Sequence, residues 1–250
     1  MSVHLVGGGR TASAAPAVYG PFLAEAAMLA RARGRSVPQV AVLTVGDDPD
    51  RAEAAAADLA ALLELAGRVV TSVVVAAAGE RFPADLPDGV DAVVVGGGST
   101  PAYLRAVEPV RDLLRQYVRH AVPYLGYSAG AMIAARRAIA GGWLLGGLPV
   151  TAAENGEGLD QLSVEDGLGL VPVSVDVHAA QAGTLTRLIC AVRSGLVGRG
   201  VAIDEDTVLI MKRDGGAVAG AGQVWSVAGV AGEVDLRVLG PGTTMAPTLG

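Results

Sequence analysis

The sequence predicts an α/β fold in which a mostly parallel, doubly wound sheet is flanked by helices and carries a C-terminal antiparallel β addition. Up to residue 140, short continuous apolar runs alternate with longer segments of helical spacing, which is typical of parallel strands buried on both faces and covered by helices. From residue 201 onward, Val, Gly and turn residues dominate. Because the 250 residues contain no evident internal repeat or flexible linker, we expect one domain, residues 1–250.

The elements of the parallel part are predicted in order from their apolar periodicity. The predicted strands cover residues 3–6, 39–45, 69–76, 92–95 and 122–126. The predicted helices cover residues 21–32, 50–66, 101–118 and 129–140. Pro101 suits the first turn of its helix, where a missing N–H costs no hydrogen bond.

Beyond Gly141 the alternation weakens. A polar, acidic stretch at residues 154–166 predicts a surface loop. A further strand is predicted at residues 171–177 and a helix at residues 184–194. The last predicted strands, near residues 207–211, 223–227 and 234–239, would form the antiparallel addition to the main sheet.

Composition and charge argue against several classes of function. A net charge of −6 without a basic run disfavours nucleic acid as a partner, since phosphate binding needs clustered Lys and Arg. No apolar stretch reaches the ~18 residues that span a bilayer, and no signal-peptide pattern follows Met1, so we expect no membrane partner and a cytoplasmic location. Cys190 is the only cysteine, which excludes an internal disulfide and a Cys-rich metal site.

The segment Gly126-Tyr127-Ser128-Ala129-Gly130 has the Gly-x-Ser-x-Gly pattern of a nucleophile elbow. It lies between a predicted buried strand and a predicted helix, which is the setting that such an elbow requires. Small flanking residues allow the sharp turn that exposes the serine. The alternative is a helix start whose small residues only pack against the sheet. We therefore treat Ser128 as a candidate nucleophile.

A serine nucleophile needs a general base, and the chain has three histidines. His4 lies inside the first strand, His120 lies before the fifth strand at the opposite end, and His178 directly follows a strand. Sites in open α/β sheets lie at the carboxyl ends of strands, which favours His178 over the other two histidines as the base. The alternative is that His178 is an ordinary histidine at a strand end. The group that orients it could be Asp176 or a member of the acidic cluster 204–206, although that cluster could equally be a solvated turn.

Two glycine-rich loops follow predicted strands. The loop 96–100 could supply an oxyanion donor from the N–H of Gly97 or Gly98, with the N–H of Ala129 as the second donor. The loop 7–12 fits the dinucleotide pattern G-x-G-x-x-A, but the acidic residues that end the second strand lie about twice as far on as the roughly 20 residues expected. A nucleotide site is therefore the second choice, and we expect neither a cofactor nor a metal.

Taken together, these stretches resemble the peptidase E and cyanophycinase family of serine peptidases. The match is carried by residues 6–9, 96–100, 126–131, 167–178 and 203–207, in the family's order. The resemblance implies a flavodoxin-like fold related to class I glutamine amidotransferases, with Ser128 as nucleophile and His178 as base. Peptidase E-like proteins place an aspartate soon after the nucleophile helix, which this sequence lacks, whereas cyanophycinase-like proteins use a glutamate that matches Glu205. We therefore expect a Ser128, His178 and Glu205 triad.

The same resemblance guides the expected substrate. Cyanophycinases carry several arginines after the histidine to hold an aspartate-arginine substrate, and Ala182 and Thr184 occupy two of those places here. A small peptide or isopeptide is therefore the expected substrate, with an aspartyl bond as one candidate for cleavage, and the expected protein is a monomer or homodimer. The other candidates are an amidotransferase- or esterase-like reaction and a small-ligand-binding relative without catalysis. The residues expected to contact the substrate are Ser99, Thr100, Asp176 and Arg187, with Arg10 as a further candidate for a substrate carboxylate.

Overall fold

A computed structural model of the protein describes residues 2–213, 215–230 and 232–245. The strands in this part of the chain are β1 (Ser2–Val6), β2 (Gln39–Gly46), β3 (Val70–Ala77), β4 (Ala92–Val95), β5 (Tyr124–Tyr127), β6 (Arg137–Gly141), β7 (Leu144–Leu145), β8 (Leu148–Pro149), β9 (Ser163–Asp166), β10 (Ser174–Val177), β11 (Arg199–Ile203), β12 (Thr207–Lys212), β13 (Gly215–Gly220), β14 (Val224–Val230), β15 (Glu233–Leu239) and β16 (Thr244–Met245). The helices are α1 (Ala15–Ala32), α2 (Pro49–Ala66), α3 (Thr100–Ala106), α4 (Arg111–Arg119), α5 (Ala129–Ile133) and α6 (Leu185–Arg193).

The main sheet confirms the predicted α/β fold. Its strand order is β16-β13-β12-β1-β5-β4-β2-β3, and the strands from β1 to β3 in this order pair in parallel. Alternate residues of β2 contribute to different apolar clusters, Val40 and Val42 to one and Ala41 and Leu43 to the other. The parallel strands are therefore buried on both faces, as their continuous apolar runs predict.

The C-terminal strands only partly form the predicted addition to this sheet. β12 pairs antiparallel with β1, and β13 continues the sheet beyond it. The strands β14 and β15 instead belong to a second sheet of order β10-β11-β14-β15, in which β10 and β11 are parallel. The prediction was wrong on this point because antiparallel partners cannot be assigned from the apolar pattern of each strand alone. The turn 204–206 connects β11 of one sheet to β12 of the other.

The predicted helix at residues 129–140 is correct at its start but wrong in its length. The helix α5 ends at Ile133, and the chain continues into β6, which pairs antiparallel with β9. Residues 163–166 are therefore a strand and not part of a surface loop. Residues 129–135 and 138–140 are all buried, so the run has no polar face, and periodicity alone does not separate a buried helix from a buried strand.

Three further boundaries differ from the prediction. The predicted helix 101–118 is divided into α3 and α4 by a 3-10 turn at Glu108–Val110, because Pro109 lacks an N–H and its ring disfavours a continuous helix. Helix α1 begins at Ala15, with Pro16 in its first turn, and includes Pro21. The strand predicted at residues 171–177 is limited to β10, after Pro172.

One apolar cluster extends over both large sheets. It includes Leu43 and Val95 of the main sheet and Val175, Val201 and Val227 of the second sheet. Because the two sheets share this core, we propose that the chain folds as one domain. Among the helices of the described residues, none has both the length and the apolar character needed to cross a bilayer.

Candidate active site

Ser128 lies in a tight turn between β5 and α5. Its backbone has φ 51° and ψ −112°, an uncommon conformation for a residue with a side chain. A Cβ at Gly126 would lie 2.3 Å from the carbonyl oxygen of Gly130, and a Cβ at Gly130 would lie 2.1 Å from that of Val95. Both glycines are therefore required by close backbone approach. The half-buried serine side chain stands at the carboxyl edge of the parallel sheet.

Ser128, His178 and Glu205 form a chain of hydrogen bonds. Ser128 Oγ lies 2.9 Å from His178 Nε2, and His178 Nδ1 lies 2.7 Å from Glu205 Oε1. The carboxylate can only accept, so His178 donates its Nδ1–H to Glu205, and Nε2 is left to accept the serine hydroxyl. The His178 and Glu205 side chains are 30% and 37% exposed. The arrangement can deprotonate Ser128 as it attacks an electrophile.

The backbone around His178 holds the ring in place. His178 has a left-handed φ of 55°. Its N–H donates to the carbonyl of Gly7 at 3.0 Å, and its carbonyl accepts the N–H of Ala182 at 2.8 Å. Gly8 lies against the ring, because a Cβ there would be 2.1 Å from His178 Cε1.

Gly8 is a part of the site that the sequence analysis missed. The loop 7–12 matched a dinucleotide pattern, but Gly8 and Gly9 make room for protein groups. A Cβ at Gly9 would lie 2.5 Å from the N of Asp206. The signal available in the sequence was the row of three glycines after a strand, which indicates close approach without saying to what.

The acidic turn 204–206 divides its three carboxylates between different partners. Asp204 is buried and accepts the N–H of Ala180 at 3.0 Å and the N–H of Gln223 at 2.8 Å. Asp206 accepts the N–H of Thr11 at 3.1 Å. Glu205 is the member of the cluster that reaches His178. The turn is therefore not simply a solvated one, and its three acidic residues are not interchangeable.

The candidate oxyanion donors lie next to Ser128. A Cβ at Gly97 would be 2.9 Å from the Cβ of Ser128, and Gly98 has φ +150°. Within the described ranges, the N–H groups of Gly97, Gly98 and Ala129 donate to no protein acceptor. They are available to a ligand oxygen, as an oxyanion site requires.

Two predicted substrate contacts, Ser99 and Thr100, lie at the end of the loop 96–100, and one of them is accessible. Ser99 is exposed and caps α3, with its Oγ accepting the N–H of Ala102 at 3.4 Å. Thr100 is fully buried, and both its N–H and its hydroxyl donate to the carboxylate of Glu157. The expectation that the Thr100 side chain contacts substrate disagrees with this burial. Glu157 was not identified from the sequence, because it lies in the acidic stretch predicted to be a surface loop.

Burial of Glu157 raises the pKa of its carboxyl group, although hydrogen bonds from Thr100 and the charge of Arg187 oppose that change. The carboxylate and these partners therefore lie together in a poorly solvated region beside the loop 96–100.

Asp176 and Arg187 pair with each other instead of facing a substrate. The Arg187 side chain is 2% exposed and that of Asp176 is 0% exposed. Arg187 Nε and Nη2 donate to the two carboxylate oxygens at 2.8 and 2.7 Å, a bidentate geometry. Arg187 Nη1 also donates to the carbonyl of Asn155 at 2.6 Å. The expected substrate contacts of these two residues disagree with their burial, because their polar atoms already have partners.

Arg10 remains accessible. Its side chain is 61% exposed and forms an ion pair with Asp58. Arg10 lies in the loop 7–12, whose Gly8 borders His178. Tyr127, the residue before Ser128, donates its hydroxyl to the carbonyl of Gly9 at 3.0 Å. Burial raises the pKa of Tyr127, and Arg10 opposes this change.

Within the described residues, no group of three or more His, Cys, Asp or Glu side chains is arranged to hold a metal ion.

Comparisons with known proteins identify the family to which the chain is similar. The model of peptidase family S51 matches residues 67–218, a range that contains Ser128, His178 and Glu205. Two curated relatives, cyanophycinases from Trichormus variabilis and from Nostoc sp., are each 37% identical over 111 residues, which is 43% of this chain. The match spans 34% of the length of each relative.

The fold also has a solved counterpart. The crystal structure of a peptidase from an acI-B1 Actinobacterium superposes with a TM-score of 0.67 and 17% sequence identity, over 98% of this chain and 96% of that one. At this identity the likeness concerns the fold.

Proposed function

The chain belongs to peptidase family S51, and from that premise we propose that it is a serine-type peptidase that hydrolyses small peptides. The observation that carries the proposal is the chain of hydrogen bonds from Ser128 through His178 to Glu205, with lengths of 2.9 and 2.7 Å. These lengths lie in the range in which a base can take a proton from a nucleophile. Glu205 is proposed as the orienting member of the triad.

The proposed reaction is acyl transfer to water. Ser128 Oγ attacks the peptide carbonyl carbon while His178 Nε2 takes the hydroxyl proton, and the carbonyl oxygen becomes an oxyanion. The N–H groups of Gly97 or Gly98 and of Ala129 bind that oxygen. His178 then protonates the amine that leaves, so that an acyl ester on Ser128 remains. Water attacks the ester, gives its proton to His178, and releases the acid and the free serine.

The proposed substrate is a dipeptide or isopeptide, with cleavage at an aspartyl bond as the working hypothesis. Two of the curated relatives are named cyanophycinases, which supports a peptide-like substrate. Arg187 was expected to bind a substrate carboxylate, but its guanidinium is buried in an ion pair with Asp176 and does not reach a substrate. Arg10 is an accessible guanidinium in the loop 7–12, which borders His178, and we propose it as the partner of a substrate carboxylate.

A labelling experiment tests the nucleophile. The wild-type protein should react covalently with a fluorophosphonate probe, and Ser128→Ala should not. Ser36→Ala is the matched control, since Ser36 is an exposed serine outside the site, and it should label like the wild type. Equal labelling of Ser128→Ala and the wild type would refute the assignment.

Hydrolysis tests the third member of the triad. A panel that includes aspartyl-leucine and β-aspartyl-leucine should be cleaved by the wild type. In Glu205→Gln, kcat should fall by about 10²- to 10⁴-fold, because the amide favours the wrong tautomer of His178 and does not stabilise the imidazolium. An unimpaired Glu205→Gln would exclude this triad.

A further inference from the structure

Glu157 occupies a position beside the proposed oxyanion donors. It follows a 3-10 turn at Ala153–Gly156 and has a left-handed φ of 54°. Its Oε2 accepts the N–H of Thr100, and its Oε1 accepts the Thr100 hydroxyl at 3.0 Å. Thr100 is the first residue of α3, where the N–H has no partner within the helix. Because Thr100 is fully buried, this carboxylate supplies an acceptor that water does not.

Residues 151–157, which we call the bridging segment, also contact the chain that carries His178. Asn155 Nδ2 donates to the carbonyl of Ala182 at 2.7 Å, and Thr151 Oγ1 donates to the carbonyl of Gly183 at 3.4 Å. The N–H of Ala182 in turn donates to the carbonyl of His178 at 2.8 Å. The bridging segment therefore joins the loop of the oxyanion donors to the loop of the proposed base.

The buried ion pair of Asp176 and Arg187 is also hydrogen-bonded to the bridging segment. Arg187 Nη1 donates to the carbonyl of Asn155 at 2.6 Å, and Arg187 Nε and Nη2 donate to Asp176. Asp176 lies two residues before His178. A hydrogen-bonded network around a buried ion pair restricts the alternative positions of the loops that it connects.

We propose that Glu157 is a positioning residue that sets the distance between the oxyanion donors and Ser128. It acts through Thr100: by fixing the N–H and hydroxyl of Thr100, it holds the preceding Gly97-Gly98-Ser99 turn against the nucleophile. The hydrogen bonds of the bridging segment to Ala182 and Gly183 connect this turn to the loop that carries His178. The inference rests on the proposed function, since it assigns a role in the same reaction. Glu157 itself touches neither the substrate nor the reacting atoms.

This role predicts an effect on the transition state and little effect on substrate binding. Oxyanion donors act mainly when charge has developed on the oxygen, so their displacement lowers kcat more than it changes KM. A displaced donor should also weaken a transition-state analogue by the same factor as kcat/KM. A purely structural role would lower the melting temperature without this split.

The test compares Glu157→Gln and Glu157→Ala with the wild type. Glu154→Gln is the matched control, because Glu154 is an exposed carboxylate on the same segment. For Glu157→Ala we expect kcat for aspartyl-leucine to fall by about 10- to 10²-fold with KM within about threefold. The affinity for an aspartyl peptide aldehyde and the rate of fluorophosphonate labelling should fall in parallel. Glu157→Gln keeps one acceptor oxygen and should lose less, and Glu154→Gln should match the wild type.

Several outcomes overturn the proposal. An unchanged kcat and labelling rate in Glu157→Gln and Glu157→Ala would do so, as would a loss of kcat with unchanged affinity for the aldehyde. If Glu157→Ala does not fold, the near-isosteric Glu157→Gln decides the matter through its labelling rate. Activity that persists in Ser128→Ala would refute the proposed function itself. Inactive Ser128→Ala together with fully active Glu157 variants would refute only the positioning role.

Discussion

Replacing Gly8 with alanine is the most direct way to disturb the base without touching the triad. Gly8 has φ +102°, and a Cβ added there would lie 2.1 Å from His178 Cε1 and 2.7 Å from His178 Nδ1. The carbonyl of Gly8 accepts the N–H of Asp206 at 2.8 Å, so this backbone hydrogen bond opposes a shift of Gly8. The ring of His178 is therefore the group that must move.

The size of this movement follows from the geometry. An ordinary contact begins near 3.4 Å, so the ring has to withdraw by about 1.3 Å. The hydrogen bonds to Ser128 and Glu205, at 2.9 and 2.7 Å, cannot both tolerate a displacement of that size. Misplacement by about 1 Å can cost 10²-fold, and loss of general-base catalysis costs about 10²- to 10⁴-fold. We expect kcat/KM of Gly8→Ala to fall by at least about 10²-fold.

The assay separates this steric effect from backbone strain. Gly34→Ala is the control, because Gly34 has φ +77° and nothing within 4 Å of its would-be Cβ. Both variants should lose roughly 1–2 kcal/mol of stability from the left-handed backbone, measured by urea unfolding. Hydrolysis of aspartyl-leucine and fluorophosphonate labelling should fall only in Gly8→Ala. If Gly8→Ala stays within about threefold of Gly34→Ala in both assays, the contact with His178 has no catalytic importance.

Two further predictions concern buried ionisable groups. Arg187→Met should destabilise the protein by roughly 3–5 kcal/mol in urea unfolding, because it leaves the charge of Asp176 buried and uncompensated. The double variant Asp176→Asn/Arg187→Met should recover much of this stability. A raised KM of Arg187→Met without loss of stability would instead indicate that Arg187 binds substrate. The pKa of His4 is lowered chiefly by burial, with Glu25 opposing, and its Nδ1 has no partner in the described chain. Since the unfolded state therefore binds the proton first, the contribution of His4 to stability is present above pH 6.5 and is lost as pH falls below it, by at most about 1.4 kcal/mol per pH unit. Unfolding of His4→Gln should depend less on pH in that window, with His120→Gln as the exposed control; identical pH dependence in His4→Gln and the wild type would contradict this reasoning.

The parallel half of the fold was predictable because its signal is local. The apolar runs of β1, β2, β4 and β5 are short and continuous, and the loops after them contain the glycines that tight turns need. The run that begins at Ala129 shows the limit of this local signal. Its buried residues lack a polar face, so a helix and a strand have the same apolar pattern there. The assignment of β14 and β15 to a second sheet also depends on contacts between residues distant in the sequence.

By itself, the sequence determined the turn that presents Ser128 and the strand end that presents His178, because both depend on residue size and chain direction over a few positions. The residue pattern left Asp176 and the three acids of the 204–206 turn as alternatives for orienting the base, and only the family resemblance favoured Glu205 among them. The tertiary structure separated them: Asp176 is neutralised by Arg187, Asp204 accepts buried backbone N–H groups, Asp206 accepts the N–H of Thr11, and Glu205 lies 2.7 Å from His178. A carboxylate takes the partner that folding brings within hydrogen-bond distance. Those partners come from the loop after β1, from α6 and from the loops that border the second sheet, which only the folded chain brings together.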